Sequence, residues 1–206
     1  SLGIGYHFYQ GKYLSAIKEV LDTDQKTIVH IPNVNAGEST KLKHDEVDTI
    51  LDLIGTIEKQ DPETGVIHVK REDGKIIKVA DLVNDIPKDR DKIVNYLRKI
   101  KNVDDIDIII ALGMAKEGFD WPYCEHALTV GYRGSLTEII QIIGRATRDS
   151  DNKNHSQFTN LIAQPDVSDS EVKLSVNNML KAITASLLME QVLAPHINFK
   201  TKTNGG

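Results

Sequence analysis

A chain of 206 residues with 40% hydrophobic and 27% charged side chains is long enough for one domain with a sizeable core and has the composition of an ordinary soluble globular protein. No apolar run approaches the ~20 residues needed to span a bilayer, and the opening residues lack the basic start and long apolar core of a signal peptide, so nothing argues for export and a cytoplasmic location is expected. A net charge of -5 speaks against a free-standing strong nucleic-acid binder, because counterion release needs clustered Lys and Arg, and the single cysteine, Cys124, excludes an internal disulfide and a thiolate zinc cluster.

In chain order, Tyr13, Ile17, Val20 and Leu21 recur at helical spacing, and Thr27–Ile31 follows as a short buried strand by its β-branched content. Gly11-Lys12 does not complete a phosphate-binding P-loop: Tyr6 stands where the first glycine belongs, and Tyr13 where Ser or Thr must meet magnesium. Residues 32–37 read as a loop that leads towards a helix with Val47, Ile50, Leu51 and Ile54 on one face. Further on, the alternating stretches Val66–Lys70 and Lys75–Val79 flank Asp73-Gly74, a strong β-hairpin signal. The hairpin is expected near the core sheet, with Lys70, Arg71, Lys75 and Lys78 as a basic surface, read as a solvated edge guarded by lysines in preference to a binding site. The seven histidines are scattered with no H-x-x-x-H pair, and no metal site is expected.

Asp89–Lys99 reads as a helix with Ile93, Val94 and Leu97 inside, and Val103–Gly113 as a continuous apolar strand of the kind that a parallel sheet covered on both faces requires. His126–Val130 and Gln157–Ala163 read as two more strands. Between them, Ser135 and Glu138 have the S-x-x-E spacing of a capping box and start a helix near Leu136. On that helix Gln141, Arg145 and Arg148 stand at i, i+4 and i+7, so all three project within one stripe. Ile139, Ile140, Ile142, Ile143 and Ala146 take the flanks and back, and Gly144 lies beside the polar stripe. Beyond Pro165, Val172, Val176, Met179, Leu180, Ile183 and Leu187 recur at helical spacing, and Lys200–Gly206 reads as a frayed end. Strands alternating with helices imply a doubly wound α/β sheet, whose ligands sit beyond the carboxyl ends of the strands.

Two arginines on the polar side of a helix are, taken alone, a solvated pair. Here Q-x-x-G-R-x-x-R, from Gln141 to Arg148, matches the sixth motif of superfamily 2 helicases. Gly118-Phe119-Asp120-Trp121-Pro122, preceded by the apolar run Ile108–Leu112 and by Gly113, looks like that superfamily's fifth motif, a strand leading into G-x-D-x-P. With both motifs in order, the chain resembles the C-terminal RecA-like domain of a superfamily 2 (DEAD/DEAH-type) helicase. Its wording is closest to that of excision-repair and restriction-enzyme motor subunits.

The resemblance implies a RecA-like (P-loop NTPase-like) parallel sheet sandwiched by helices, with residues 1–165 as the helicase domain and 166–206 as a helical extension or the start of a further domain. It also implies phosphoryl transfer from ATP to water, with ATP and Mg2+ bound mainly by an upstream RecA-like domain of the same protein, so the isolated chain is expected to be inactive. Arg145 and Arg148 would act across the interdomain cleft, Arg148 as the arginine finger, with Gln141 near the terminal phosphate. Asp120 would meet the ribose, and Gly118 and Gly144 would let the nucleotide come close. DNA, in preference to RNA, would follow a track along Asn33, Asn35, Ser39, Arg90, Gly113 and Lys116. In that track Pro87 replaces the glutamine that usually precedes the arginine, and Met114 stands where the family often has threonine.

Each of these residues has a structural alternative. Turn chemistry and helix capping account for Asn33, Asn35 and Ser39, a helix start for an exposed Arg90, and turns for Asp120 and Gly118. Asp45-Glu46-Val47-Asp48 spells D-E-x-D, the carboxylate motif of such motors, yet no apolar strand precedes it and Val47 continues the helical stripe. It reads as an acidic first turn that favours the helix dipole. Two other classes stay open: a nucleotide-free interaction or regulatory module with this fold, and a small-molecule Rossmann-like enzyme, which the lack of G-x-G-x-x-G after a strand disfavours.

Overall fold

The computed structural model describes residues 2–32, 42–112, 121–131, 156–163 and 197–199, together with Ser170, Leu174, Asn177, Asn178 and Lys181. Its strands are Leu2–Tyr9 (β1), Thr27–Ile31 (β2), Thr56–Gln60 (β3), Ile67–Lys70 (β4), Ile76–Asp81 (β5), Ile108–Leu112 (β6), His126–Val130 (β7), Ser156–Ala163 (β8) and Ile197–Phe199 (β9). The helices are Tyr13–Val20 (α1), Lys43–Ile54 (α2) and Pro87–Arg98 (α3). All described strands join one sheet in the order β3-β4-β5-β6-β2-β7-β8-β1-β9. From β5 to β9 every pairing is parallel, and β3 and β4 add an antiparallel edge.

Alternation along the strands explains how one sheet fills two cores. In β6, Ile108 and Ile110 point to one face and Ile109 and Ala111 to the other, all wholly buried. On the α3 face Ile109 and Ala111 join Tyr6, Phe8, Ala127, Phe158 and Ile162, covered by Ile93 and Leu97 of α3. On the opposite face Ile108 and Ile110 join Val29, Ile31, Leu128 and Val130, covered by Tyr13 and Ile17 of α1 and by Val47, Ile50, Leu51 and Ile54 of α2. The split follows from handedness. The β1-to-β2 crossover and the β5-to-β6 crossover run in opposite directions along the sheet, and right-handed crossovers then leave their helices on opposite faces.

The expected strand at Thr27–Ile31, the strand at His126–Val130, and the helices carrying Ile17, Val47 and Ile93 are all present, with Pro87 in the first turn of α3, where its missing N–H costs nothing. Several elements differ from the sequence reading. β1 was not anticipated, because Gly3 and Gly5 interrupt its apolar pattern, yet it pairs with β8 over its whole length, from Leu2 opposite Ser156 to Tyr9 opposite Ala163. β3 is exposed throughout and carries no apolar pattern that places it from sequence; pairing with β4 makes it a strand. Its entry needs Gly55, because a Cβ there would lie 2.1 Å from the carbonyl oxygen of Lys70. The strand expected from Val103 begins at Ile108. Val103–Asp105 is a 3-10 turn, with the Asp105 carboxylate accepting from the backbone of Lys101 and Asn102.

The hairpin around Asp73-Gly74 forms, and β5 continues it into the parallel sheet. Three of its four basic residues, Arg71, Lys75 and Lys78, are engaged within the protein, while Lys70 is exposed. Arg71 donates to Asp73 at 2.6 Å and to Asp24 at 2.7 Å, Lys75 donates to Asp24 at 3.0 Å, and Lys78 donates to the Asp104 carbonyl at 3.0 Å. Arg71, followed by a backbone bond from Lys75, holds the Asp73 carboxyl down at about 2. From the expected C-terminal helix, the described Ser170, Leu174, Asn177, Asn178 and Lys181 are helical and all exposed, a spacing that makes one solvent-facing stripe. Its apolar positions lie outside the described residues. β9, drawn from the 166–206 segment, pairs with β1.

His126, at the start of β7, is 4% exposed, and its Nε2 shares a 2.8 Å hydrogen bond with Thr159 Oγ1. Burial lowers its pKa from 6.5 to about 4, against a weaker opposing pull from Asp22. Below pH 6.5 the unfolded chain takes up a proton that the folded one refuses. Stability should therefore fall by about 1.4 kcal/mol per pH unit as pH drops from 6.5 towards 4, then level off. Urea unfolding across that range should show this slope in the parent and a flatter one in His126→Gln; equal slopes would assign it to other groups.

Candidate functional site at the carboxyl edge of the sheet

Parallel strands deliver their following segments to one edge, and here the order of strands matters more than their order in the chain. β2 lies between β6 and β7, with Ile31 opposite Leu112 and His30 opposite both Ala111 and Thr129. Asn33, Asn35 and Ser39 follow β2; Gly113, Lys116, Gly118 and Asp120 follow β6; Gln141, Gly144, Arg145 and Arg148 follow β7. These eleven candidates lie outside the described residues, but the three segments that carry them depart from adjacent strands. Arg90, the remaining candidate, is described and sits in α3 after β5.

After β2 and after β6 the described chain resumes on opposite faces of the sheet. After β2 the chain returns through α2, on the α1 side of the sheet, whereas after β6 it returns through Trp121 and Cys124, buried on the α3 side. In α/β sheets, the point where neighbouring parallel strands have connections on opposite faces is the usual position for ligands.

Three strand exits at this edge are closed in the same manner, by a side chain donating to the last backbone carbonyls. Arg90 Nη1 donates to the Leu82 carbonyl just past β5, Lys43 Nζ to the Pro32 carbonyl just past β2, and Asn160 Nδ2 to the Gly131 carbonyl just past β7. A carbonyl at the end of a strand has no ladder partner, and leaving it buried and unmet is costly. Arg90 is therefore engaged with the protein backbone at the edge where a nucleic-acid contact was expected. Next to it, Asp81 Oδ1 accepts from the backbone of Val83 at 2.8 Å and Asn84 at 3.2 Å, and burial raises its pKa against those bonds.

The β7 exit is the most tightly specified. Asn160, wholly buried in β8, also donates to Thr129 Oγ1 at 2.8 Å, and Gly131 N donates to the Leu161 carbonyl at 2.8 Å. Gly131 has φ 93, in the left-handed region where a side chain is strained. Behind the exit, His30, Thr129, Asn160 and Tyr6 lie at paired positions across four adjacent strands, all buried. At the β2 exit, Lys43 also meets Glu46 Oε2 at 2.8 Å, and the Tyr13 hydroxyl donates to Glu46 Oε1 at 2.6 Å.

Sequence reasoning gave Lys43 and Asn160 no reading at all and did not foresee the burial of Glu46 against Tyr13. A polar residue inside an apolar strand is a signal that something must meet it, and Thr129 and Asn160 carried that signal. Glu46 was read as a dipole-stabilising acid on a helix. It does stand in the first turn of α2, but its side chain is fully buried.

This architecture, a mixed sheet with helices on both faces, is that of RecA-like domains. A family model described as the helicase conserved C-terminal domain matches residues 13–150, and the chain belongs to that family. It is 70% identical over 203 residues to the Bacillus subtilis (strain 168) protein named "Putative ATP-dependent helicase YeeB", an alignment covering 98% of this chain and 34% of that protein. The chain thus spans about a third of the length of this relative. Among solved structures, the C-terminal domain of the DEAD-box protein Dbp5 is similar, with a TM-score of 0.50 and 13% identity over 100% of this chain and 92% of that one. A longer S. cerevisiae Dbp5 chain, bound to Gle1 and IP6, gives a TM-score of 0.52 at 12% identity, over 100% of this chain and 42% of that one. At these identities the structural likeness concerns the fold alone.

Asn160→Ala removes donors from Gly131 and Thr129 at once and should lower stability by about 1–3 kcal/mol, the cost of leaving buried partners unmet. Asn160→Asp should cost more, since a carboxylate faces the Gly131 carbonyl. A urea midpoint unchanged in both variants would show that the β7 exit does not depend on this side chain.

Proposed function

We propose that this chain is the second motor domain of an ATP-dependent nucleic-acid helicase or translocase, completed by an upstream RecA-like domain of the same protein that holds most of the ATP and its Mg2+. The observation that supports this best is the adjacency of β6, β2 and β7, because the segments with proposed roles in nucleotide and nucleic-acid contact leave those three strands at one edge. Membership of the helicase family and the greater length of its relative fit a longer motor of which this is one part.

In this reading Arg148 is the arginine finger, Arg145 its companion, and Gln141 lies near the terminal phosphate. Charge spread over phosphoryl oxygens is stabilised by positioned cations, and a finger contributes on the order of 10³ to 10⁵ in rate. Asp120 meets the ribose, while Gly118 and Gly144 allow close approach. DNA, in preference to RNA, runs along Asn33, Asn35, Ser39, Gly113 and Lys116, with Arg90 behind them at the β5 exit.

In the full-length protein, Arg148→Ala should depress kcat by at least ~10²-fold, a bound below the arginine-finger range, because the guanidinium acts mainly in the transition state. Nucleotide binding and the melting temperature should change little, and Arg148→Lys should rescue little, since an ammonium lacks the planar multi-donor fork. Steady-state ATP hydrolysis and thermal melting on the same samples decide: normal melting with parental turnover would instead favour a nucleotide-free regulatory module. The net charge of -5 leads to a second expectation, that the isolated chain binds DNA weakly and loses that binding steeply with salt. Submicromolar binding that survives high salt would point to a dedicated binding module.

A further inference from the structure

Glu46 is a buried acid with no place in the proposed chemistry. Its side chain is wholly inaccessible, Lys43 is 12% exposed beside it, and Tyr13 is 2% exposed. An acid that served only the helix dipole would gain as much at the surface. Nor does stability account for the arrangement, since a buried ion pair is seldom better than apolar residues of the same volume, desolvation offsetting the Coulomb attraction.

What the three side chains do is join elements. Glu46 Oε1 accepts from the Tyr13 hydroxyl at 2.6 Å, which ties α2 to the first residue of α1. Glu46 Oε2 lies 2.8 Å from the Lys43 ammonium, which also donates to the Pro32 carbonyl. Burial, then the bond to Glu46, raises the Tyr13 pKa far above its usual value, so the phenol stays a neutral donor. Pro32 is the last described residue before the segment carrying Asn33, Asn35 and Ser39, and Lys43 opens the helix after it. One ammonium therefore holds both ends of that segment, and the carboxylate and phenol hold the ammonium.

We infer that Tyr13, Lys43 and Glu46 are positioning residues, a buried clamp that sets the two ends of the segment between β2 and α2 for contact with nucleic acid. The inference rests on the motor reading above and deepens it. An apolar trio would fill the same space, but it would leave the Pro32 carbonyl and the start of α2 unconnected. The clamp acts on nucleic-acid engagement and not on the nucleotide, whose proposed contacts follow β6 and β7.

The test is the DNA dependence of steady-state ATP hydrolysis by the full-length protein, with linear double-stranded DNA and mixed-sequence single-stranded DNA as probes. The triple variant Tyr13→Phe/Lys43→Met/Glu46→Leu replaces the clamp by apolar groups and removes both charges of the pair together; because the Pro32 carbonyl loses its Lys43 donor, it should melt below the parent but still fold. It should raise the DNA concentration for half-maximal stimulation by roughly tenfold, within the hundredfold that an ångström of misplacement can cost. The KM for ATP and the DNA-free rate should hold. Glu46→Gln keeps an acceptor for Tyr13 but loses the charge facing Lys43, and should shift half-saturation the same way by a smaller factor. Lys43→Arg, which keeps a cation able to reach both partners, should stay near the parent.

A folded triple variant with parental half-saturation overturns the clamp, even if its melting temperature falls, because only a structural role would then remain. If the triple variant does not fold, Glu46→Gln decides on the same readout. A parent enzyme whose ATP hydrolysis ignores both DNA probes defeats the motor reading itself and the clamp with it, an outcome distinct from the first because the parent alone shows it.

Discussion

The site proposed for this chain depends on β2 being held in register between β6 and β7. The three strands are far apart in sequence, and parallel neighbours cannot be joined by a tight turn, so each pairing is reached only through a crossover. Such strands are stable when both faces are covered, and here Val29 and Ile31 meet the α1 and α2 side while Ile28 faces the α3 side. A slip of one residue would turn Val29 and Ile31 to the wrong core and move the β2 exit relative to its neighbours. Packing and site geometry are therefore set by the same constraint, and the apolar content of these strands serves the chemistry by forbidding that slip.

The two edges of the sheet handle their polar groups differently. At the amino edge, charges meet charges: Lys26 pairs with Asp107 and Asp104, and Arg71 and Lys75 share Asp24. Most of these pairs are half open to water, where an ion pair contributes little to stability and mainly cancels local charge. At the carboxyl edge, side-chain donors from α2, α3 and β8 meet backbone carbonyls at Pro32, Leu82 and Gly131. Such bonds fix where the backbone goes. The edge from which the proposed site residues depart is thus the one whose exits are held by side chains from other elements.

How much of this was legible in the sequence depended on whether the signal was local. β2, β6 and β7 are apolar β-branched runs between turn residues and declare themselves, as do the helices whose apolar positions recur with a period near four. β1 was hidden because Gly3 and Gly5 lower its propensity, and only pairing with β8 makes it a strand. β3 is wholly exposed, and β9 is a three-residue strand fixed by one neighbour. For the site, the two motifs pointed to the segments after β6 and β7, but nothing local says that β2 lies between those strands. Glu46 failed for a related reason: its position in the first turn of a helix is local information, while its burial against Tyr13 depends on how α1 packs beside α2.

The charge distribution gives these held exits their importance. With a net charge of -5, the chain draws little on long-range attraction to a polyanion, and Lys26, Lys43, Arg71, Lys75 and Lys78 are each engaged with acids or carbonyls of the protein itself. A hairpin that looks basic in the sequence has part of its charge offset once Asp24 and Asp73 are placed beside Arg71 and Lys75. In the motor proposed above, contact through Asn33, Asn35 and Ser39 would draw on short-range hydrogen bonds from small polar side chains and backbone amides, which orient a strand more than they attract it. Short-range bonds lose their value within an ångström or so of misplacement, whereas a screened charge barely registers the same shift. A domain that relies on placement instead of charge has reason to put a buried carboxylate, an ammonium and a phenol at a strand exit, where they hold the backbone and add nothing to the surface field.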